Sequence, residues 1–156
     1  MISISLCMIV RDEEQVLARC LDSVREAVDE IVIVDTGSLD RTKEIAWKYT
    51  DLVFDFVWRD DFSAARNYAF SRASKEYCMW LDADDVLTPA NAGRLLRLKE
   101  NLQPEVDMVM MPYITAFDPE GNPAFSYFRE RIVKNSPQFR FQGRVHEAIP
   151  RLGYVI

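Results

Sequence analysis

Two hydrophobic periods alternate along the first half of the chain. Ile2 to Val10 is an almost unbroken apolar run of strand length, the signature of a strand covered on both faces. Arg11, Asp12, Glu13 and Glu14 come next and open a helix. In it Val16, Leu17, Cys20, Leu21 and Val24 recur every three or four residues as a single apolar stripe. The acidic start suits the positive end of the helix dipole. Ile31 to Val34 is a second buried strand, ended by Asp35-Thr36-Gly37-Ser38, where glycine permits a sharp turn and serine caps the segment after it. A helix over residues 40–49, a strand over 52–57, a helix over 62–73 with Ala65, Ala69 and Ala73 on one close-packing face, and a strand over 77–81 continue the series. Thr88-Pro89 pairs a hydroxyl cap with a proline at the first helical position, and that helix runs to about Leu102, before Pro104.

Strand and helix alternating in this way predict parallel strands joined by right-handed helical crossovers. The pattern then changes. Val106 to Phe117 is a long apolar segment, Pro119 to Pro123 is a turn, and Phe125 to Val133 returns as an antiparallel hairpin. Phe139 to Ile149 either adds a strand or covers the open rim. The fold class is therefore α/β: a Rossmann-like, mostly parallel mixed sheet flanked by helices, with a C-terminal antiparallel hairpin.

Ligands of such sheets bind beyond the carboxyl ends of the strands. Asp12 and Glu13, Asp35, and Asp82, Asp84 and Asp85 all come after strands at that rim. The run Trp80-Leu81-Asp82-Ala83-Asp84-Asp85 carries the most information. A hard cation such as Mg²⁺ takes one or two protein carboxylates and fills its other positions with water and phosphate oxygens. The alternative is a turn in which an aspartate caps the next segment.

Composition narrows the partners. The 156 residues, 49% hydrophobic and 28% charged, suit one globular domain rather than a disordered chain. Nineteen basic against twenty-five acidic residues, a net charge of −6, disfavour a broad footprint for nucleic acid or anionic lipid. The apolar start is too short to span a bilayer and lacks the basic lead of a signal peptide, so no integral membrane segment and a cytoplasmic location are expected. Cys7, Cys20 and Cys78 lie within apolar patterns and read as buried thiols. The last residues, Arg151 to Ile156, stop in mid-pattern, as in a piece of a longer protein.

These motifs, in this order, resemble the family-2 nucleotide-sugar glycosyltransferases of GT-A type. Ile4 to Glu14 is similar to that family's first strand and acidic exit. Ile31 to Arg41 resembles its second strand, whose usual Asp-Asp-Gly-Ser ending has Thr36 here in place of the second aspartate. That variant is similar to the branch fused to tetratricopeptide-type repeats. Phe62 to Asn67 resembles the Ala-Arg-Asn helix start, and Asp82-Ala83-Asp84 the metal-binding Asp-x-Asp motif.

The resemblance implies one transferase domain over 1–156, with a nucleotide-sugar half over 1–103 and an acceptor-side part over 104–156. It implies that Asp35 accepts hydrogen bonds from uridine or ribose, or else merely closes its turn with Ser38. Asp12 and Glu13 sit beside the nucleotide, or simply start a helix. Arg66 reaches the base or diphosphate, or forms a surface ion pair. Asp82 contacts ribose or a metal-bound water, and Asp84 ligates Mg²⁺ or Mn²⁺ at the diphosphate. Asp85 supports this turn or faces solvent. The implied reaction moves a sugar, with inversion, from a nucleoside diphosphate sugar, a UDP-sugar, to a sugar, lipid or protein acceptor.

The family's later Glu-Asp motif is missing, and Arg144-Val145-His146-Glu147 stands nearest to it. Glu147 is the expected base and His146 the expected metal or diphosphate contact; Asp118 is the rival base. Trp58 and Phe62 read as core, with stacking on a sugar or base as the alternative. Two other functions compete: a catalytically silent sugar-nucleotide module and a Mg²⁺-binding receiver domain. The receiver would need an aspartate ending the third strand and a lysine ending the fifth; the third strand here runs toward Trp58-Arg59, and no lysine follows the apolar Val106 to Met111.

Overall fold

Ile4–Val10 forms strand β1 in the interior of a six-stranded sheet. Six of its seven residues are buried, as an apolar run covered on both faces must be. Glu30–Asp35 (β2) and Tyr77–Trp80 (β4) lie parallel on either side of it, and Val53–Asp55 (β3) lies parallel beyond β2. Met108–Phe117 (β5) and Pro123–Lys134 (β6) form the antiparallel hairpin. Because β6 pairs with β4, the order is β3-β2-β1-β4-β6-β5. This computed structural model describes residues 1–156.

The pleat of β1 sends alternate residues to two separate cores. Ile4, Leu6, Met8 and Val10 meet Leu17, Cys20, Leu21 and Val24 of helix α1 (Leu17–Val24) and Leu95 of helix α4 (Pro89–Asn101). On the other face Cys7, Val32, Val34, Cys78 and Trp80 meet Ala69 and Phe70 of helix α3 (Phe62–Ser71), together with Phe139, Phe141 and Ile149. All three cysteines are free and buried. The Thr88 hydroxyl accepts from the Asn91 N–H at 3.2 Å, with Pro89 in the first turn, as the sequence predicts for α4. Helix α2 (Thr42–Ala46) is shorter than the predicted 40–49. No helix is long and apolar enough to cross a membrane.

One expectation needs correction. The acidic run after β1 does not open a helix, since α1 begins only at Leu17. Asp12 takes the left-handed conformation (φ 52°), and the N–H groups of Asp12, Glu13 and Glu14 donate to Ser38 Oγ, Thr42 Oγ1 and Asp40 Oδ2 across the next loop. Residues 14–16 form only a turn, with the Val16 and Leu17 N–H groups donating to the Glu13 carbonyl at 3.1 and 3.0 Å. Of the two alternatives for Phe139 to Ile149, the added strand does not form. The segment makes one bridge, Gln142 to Ala148, and lies over the sheet with Phe139, Phe141 and Ile149 buried, which is the rim-covering alternative.

The start of β1 is tied to α4 through Asp29, whose Oδ2 accepts from the Ile4 N–H at 2.7 Å and pairs with the buried Lys99 ammonium at 2.8 Å. Burial raises this carboxyl, but the bonds from Lys99 and Ile4 outweigh it and the net shift is downward. The pair's contribution is therefore complete above the ordinary aspartate value of about 4 and fades as pH falls below it. Asp29→Asn is expected to cost about 2 kcal/mol at neutral pH, between exposed and buried pairs. Urea melts should show the gap between variant and parent closing in acid; a gap independent of pH contradicts this.

Candidate active site

The loops at the carboxyl ends of β1, β2 and β4 enclose a cleft of about 630 Å³. Its walls include Val10, Arg11, Glu13, Thr36, Trp58, Phe62, Arg66, Asp82, Asp84, Tyr113 and Glu147. A hollow of similar size, about 650 Å³, lies at the opposite rim between Asp29 and Leu52. The strands of a parallel sheet enter at that rim, and it carries none of the candidate site residues.

Arg66 organises the cleft. It projects from α3, whose start is capped by Asp61 accepting from the Ala64 N–H at 3.0 Å. Its guanidinium lies against the rings of Trp80 (4.6 Å) and Phe141 (5.4 Å). Nη2 donates to Asp82 Oδ1 at 2.7 Å and Nε to Glu147 Oε1 at 2.8 Å. The arginine is thus a buried bridge between two carboxylates and not a surface ion pair. Its Nη1 is buried without an acceptor. Asp82 Oδ2 and Glu147 Oε2 have no partner in the chain, and neither is among the buried orphan atoms, so both reach solvent.

Glu147 arrives here because the segment before it is fastened to α3. Asn67 donates to the Phe141 carbonyl at 3.0 Å and accepts from the Phe141 N–H at 2.8 Å. The Phe62 N–H donates to the Arg144 carbonyl at 3.1 Å, and Ser63 Oγ bonds the Gly143 carbonyl. Farther along, the Ile149 N–H donates to buried Glu130 at 3.1 Å.

Asp35, next to the cleft-lining Thr36 but not itself on the cleft wall, is engaged through one oxygen only. Oδ1 accepts from the Gly37 and Ser38 N–H groups, both at 2.9 Å, which closes the turn. Gly37 has φ 114°, a conformation suited to glycine. Oδ2 is buried with no donor, and such an orphan costs about 1–3 kcal/mol unless a ligand supplies one. Thr36 lines the cleft where the family pattern has aspartate, and its hydroxyl bonds the Val10 carbonyl at 3.3 Å.

The acids differ in how far they are committed. Asp84 is exposed on the cleft wall, and its one hydrogen bond is through its backbone carbonyl, to Arg19. Desolvation, then the charges of Asp84, Asp82, Asp40 and Asp12, push the Glu13 carboxyl upward. Burial and the charges of Asp85, Asp82 and Asp84 push the Cys20 thiol up to about 12, so it stays protonated beside the Asp82 carbonyl, 3.5 Å away. Asp85 is half-buried, and its Oδ2 accepts from Arg131 and from the Asp82 N–H.

A hard divalent cation fits this donor set. Asp84 and the free oxygen of Asp82 are carboxylate ligands of the kind Mg²⁺ and Mn²⁺ take in ones and twos. No three His, Cys, Asp or Glu side chains gather to ligate a metal. His146 is exposed on its loop, with φ 56°, and is not on the cleft wall. Asp12 is also off the wall; its Oδ1 accepts from the Leu39 N–H at 2.8 Å and ties the two loops together. Asp118 closes the β5–β6 turn by accepting from Asn122, and it too lies off the wall.

Other features were not legible beforehand. Trp58 and Phe62 belong to neither core; they meet edge to face at 4.9 Å on the cleft wall, which corrects their reading as core. Tyr113, contributed by the hairpin, also lines the cleft. Trp80 is a pedestal for three guanidiniums, those of Arg66, Arg129 and Arg131, all within 5 Å of its ring centre. The arginines at 129 and 131 were a visible signal, but their target was not.

A TPR repeat-containing protein of Synechococcus elongatus is 39% identical over 152 residues, covering 96% of this chain and 36% of its own length. Glycosyltransferase SunS of Bacillus phage SPbeta is 30% identical over 148 residues, covering 93% and 34%. The chain thus spans about a third of the length of these curated relatives. Among solved structures, glucosyl-3-phosphoglycerate synthase of Mycobacterium tuberculosis in complex with Mn²⁺ and UDP-glucose superposes with a TM-score of 0.53 at 21% identity. The match covers 69% of this chain and 42% of that one, a likeness of fold. The family model for glycosyl transferase family 2 matches residues 5–151, and with its GT-A type sheet the chain belongs to that family.

Proposed function

We propose that this domain transfers a sugar from a nucleoside diphosphate sugar, a UDP-sugar, to a hydroxyl of a sugar, lipid or protein acceptor, with inversion and with Mg²⁺ or Mn²⁺ as cofactor. The observation that carries the reading is the convergence of Glu13, Arg66, Asp82, Asp84 and Glu147 on one cleft at the carboxyl rim. Residues 1–103 supply the donor side and 104–156 the acceptor side. Asp35 Oδ2, a buried acceptor beside the cleft, takes a hydrogen bond from the uracil or ribose. Glu13 and Asp12 shape the loop beside the nucleotide. Asp84, with Asp82, holds the cation, which neutralises the charge that develops on the leaving diphosphate.

Arg66 keeps Asp82 and Glu147 at fixed places by occupying one oxygen of each. Glu147 Oε2 then accepts the proton of the acceptor hydroxyl. The hydroxyl oxygen forms its bond to the anomeric carbon as the bond from that carbon to the diphosphate oxygen breaks on the opposite face, and the electron pair leaves with the diphosphate. His146, exposed one residue away, serves as a contact for diphosphate or metal only if its loop turns inward.

Calorimetry with UDP and GDP, each with and without Mn²⁺, tests the reading. UDP is expected to bind, and to bind more tightly with Mn²⁺; absence of binding by either nucleotide refutes it. UDP release from a panel of UDP-sugars separates the enzyme from a silent module, and proton NMR of the product reads inversion.

A further inference from the structure

Strand β6 carries an irregularity beside the cleft. Ile132 pairs with Val109 and Glu130 with Met110, so Arg131 has no partner across the ladder and is the extra residue of a β-bulge. Bulges next to functional sites re-aim a side chain that a regular strand would place elsewhere. Here the re-aimed side chain is a buried arginine, 5% exposed. Its guanidinium is held between the rings of Trp80 (4.0 Å) and Tyr113 (4.6 Å). Nη1 donates to the Trp80 carbonyl at 3.2 Å and to Asp85 Oδ2 at 3.1 Å.

That carboxylate oxygen has a second task. It accepts from the Asp82 N–H at 2.9 Å, while the Asp85 N–H donates back to the Asp82 carbonyl at 3.0 Å. The two bonds close the turn that carries Asp82, Ala83 and Asp84. A carboxylate shielded from water in this way keeps such a position only with a cation beside it. Arg131 is the cation that pairs with it.

We infer that Arg131 is a positioning residue: from the bulge in β6 it locks Asp85, and through Asp85 the Asp82–Asp84 turn, into the arrangement that presents Asp84 to the cleft. The inference rests on the proposed function for what Asp84 holds, but the locking itself does not. Arg131 also supports Tyr113, so one guanidinium joins the donor-side turn to the cleft wall supplied by the hairpin. The planar fork is what allows stacking between two rings while donating in its own plane, a combination that a lysine ammonium does not reproduce.

The test uses the full chain with Arg131→Met and Arg131→Lys. Partners that orient ligating groups typically change metal affinity about 10- to 100-fold when removed. Arg131→Met is accordingly expected to weaken Mn²⁺-supported UDP binding about 10- to 100-fold in calorimetry while leaving UDP affinity without metal unchanged, and Arg131→Lys is expected to fall between variant and parent. In metal-free protein, hydrogen exchange at the Asp82 amide should accelerate in both variants. A purely structural role would lower the melting temperature and weaken UDP equally with and without Mn²⁺. That outcome, or unchanged Asp82 exchange in either folded variant, overturns the inference. If the parent shows no Mn²⁺-dependent UDP binding, the proposed function fails, and the exchange measurement still decides whether Arg131 locks the turn.

Discussion

Asp84→Asn is expected to abolish sugar transfer and Mn²⁺-dependent UDP binding while leaving the fold intact. Asp84 is exposed at the end of β4, and its hydrogen bond to Arg19 runs through the backbone carbonyl, which the substitution keeps. Surface replacements of this kind change stability by no more than about 0.5 kcal/mol. The loss should therefore appear in chemistry alone. A fall in kcat/KM of at least about 10³-fold, or ~4 kcal/mol of transition-state stabilisation, is the expected scale for losing a cation that neutralises a leaving diphosphate. Steady-state kinetics with a UDP-sugar and a thermal melt measure both halves. Activity within tenfold of the parent would show that another group holds the cation.

Glu147→Gln should separate catalysis from binding. Glu147 Oε1 is engaged by Arg66, and an amide oxygen preserves that acceptor and the shape of the side chain. The tie between Asn67 and Phe141 holds the segment independently. Donor binding is thus expected to stay near that of the parent, while kcat falls about 10²- to 10⁴-fold, the usual worth of a positioned base. An equal loss of donor affinity would instead make Glu147 a partner of Arg66 only.

Much of the sheet was legible because buried parallel strands are apolar runs and because Thr88-Pro89 and Asp35 to Ser38 are local signals. The loop at residues 11–14 was not. An acidic tetrapeptide before an apolar stripe has the form of a helix start, yet three of its N–H groups are taken by the side chains of Ser38, Thr42 and Asp40, and the helix begins only at Leu17. His146 shows the same limit from the other side. It is next to Glu147 in sequence, yet Glu147 faces the cleft while His146, at φ 56°, is exposed.

By itself the sequence determined the alternation of strand and helix, the antiparallel return and the set of carboxylates at strand ends, because hydrophobic period and turn chemistry act over a few residues. Only the tertiary structure decided that Arg66 would bridge Asp82 and Glu147, 81 positions beyond it, and that a bulge would aim Arg131 at Asp85. Those pairings are set by packing around Trp80, where buried charges must each find a counter-charge, and no spacing along the chain encodes which one.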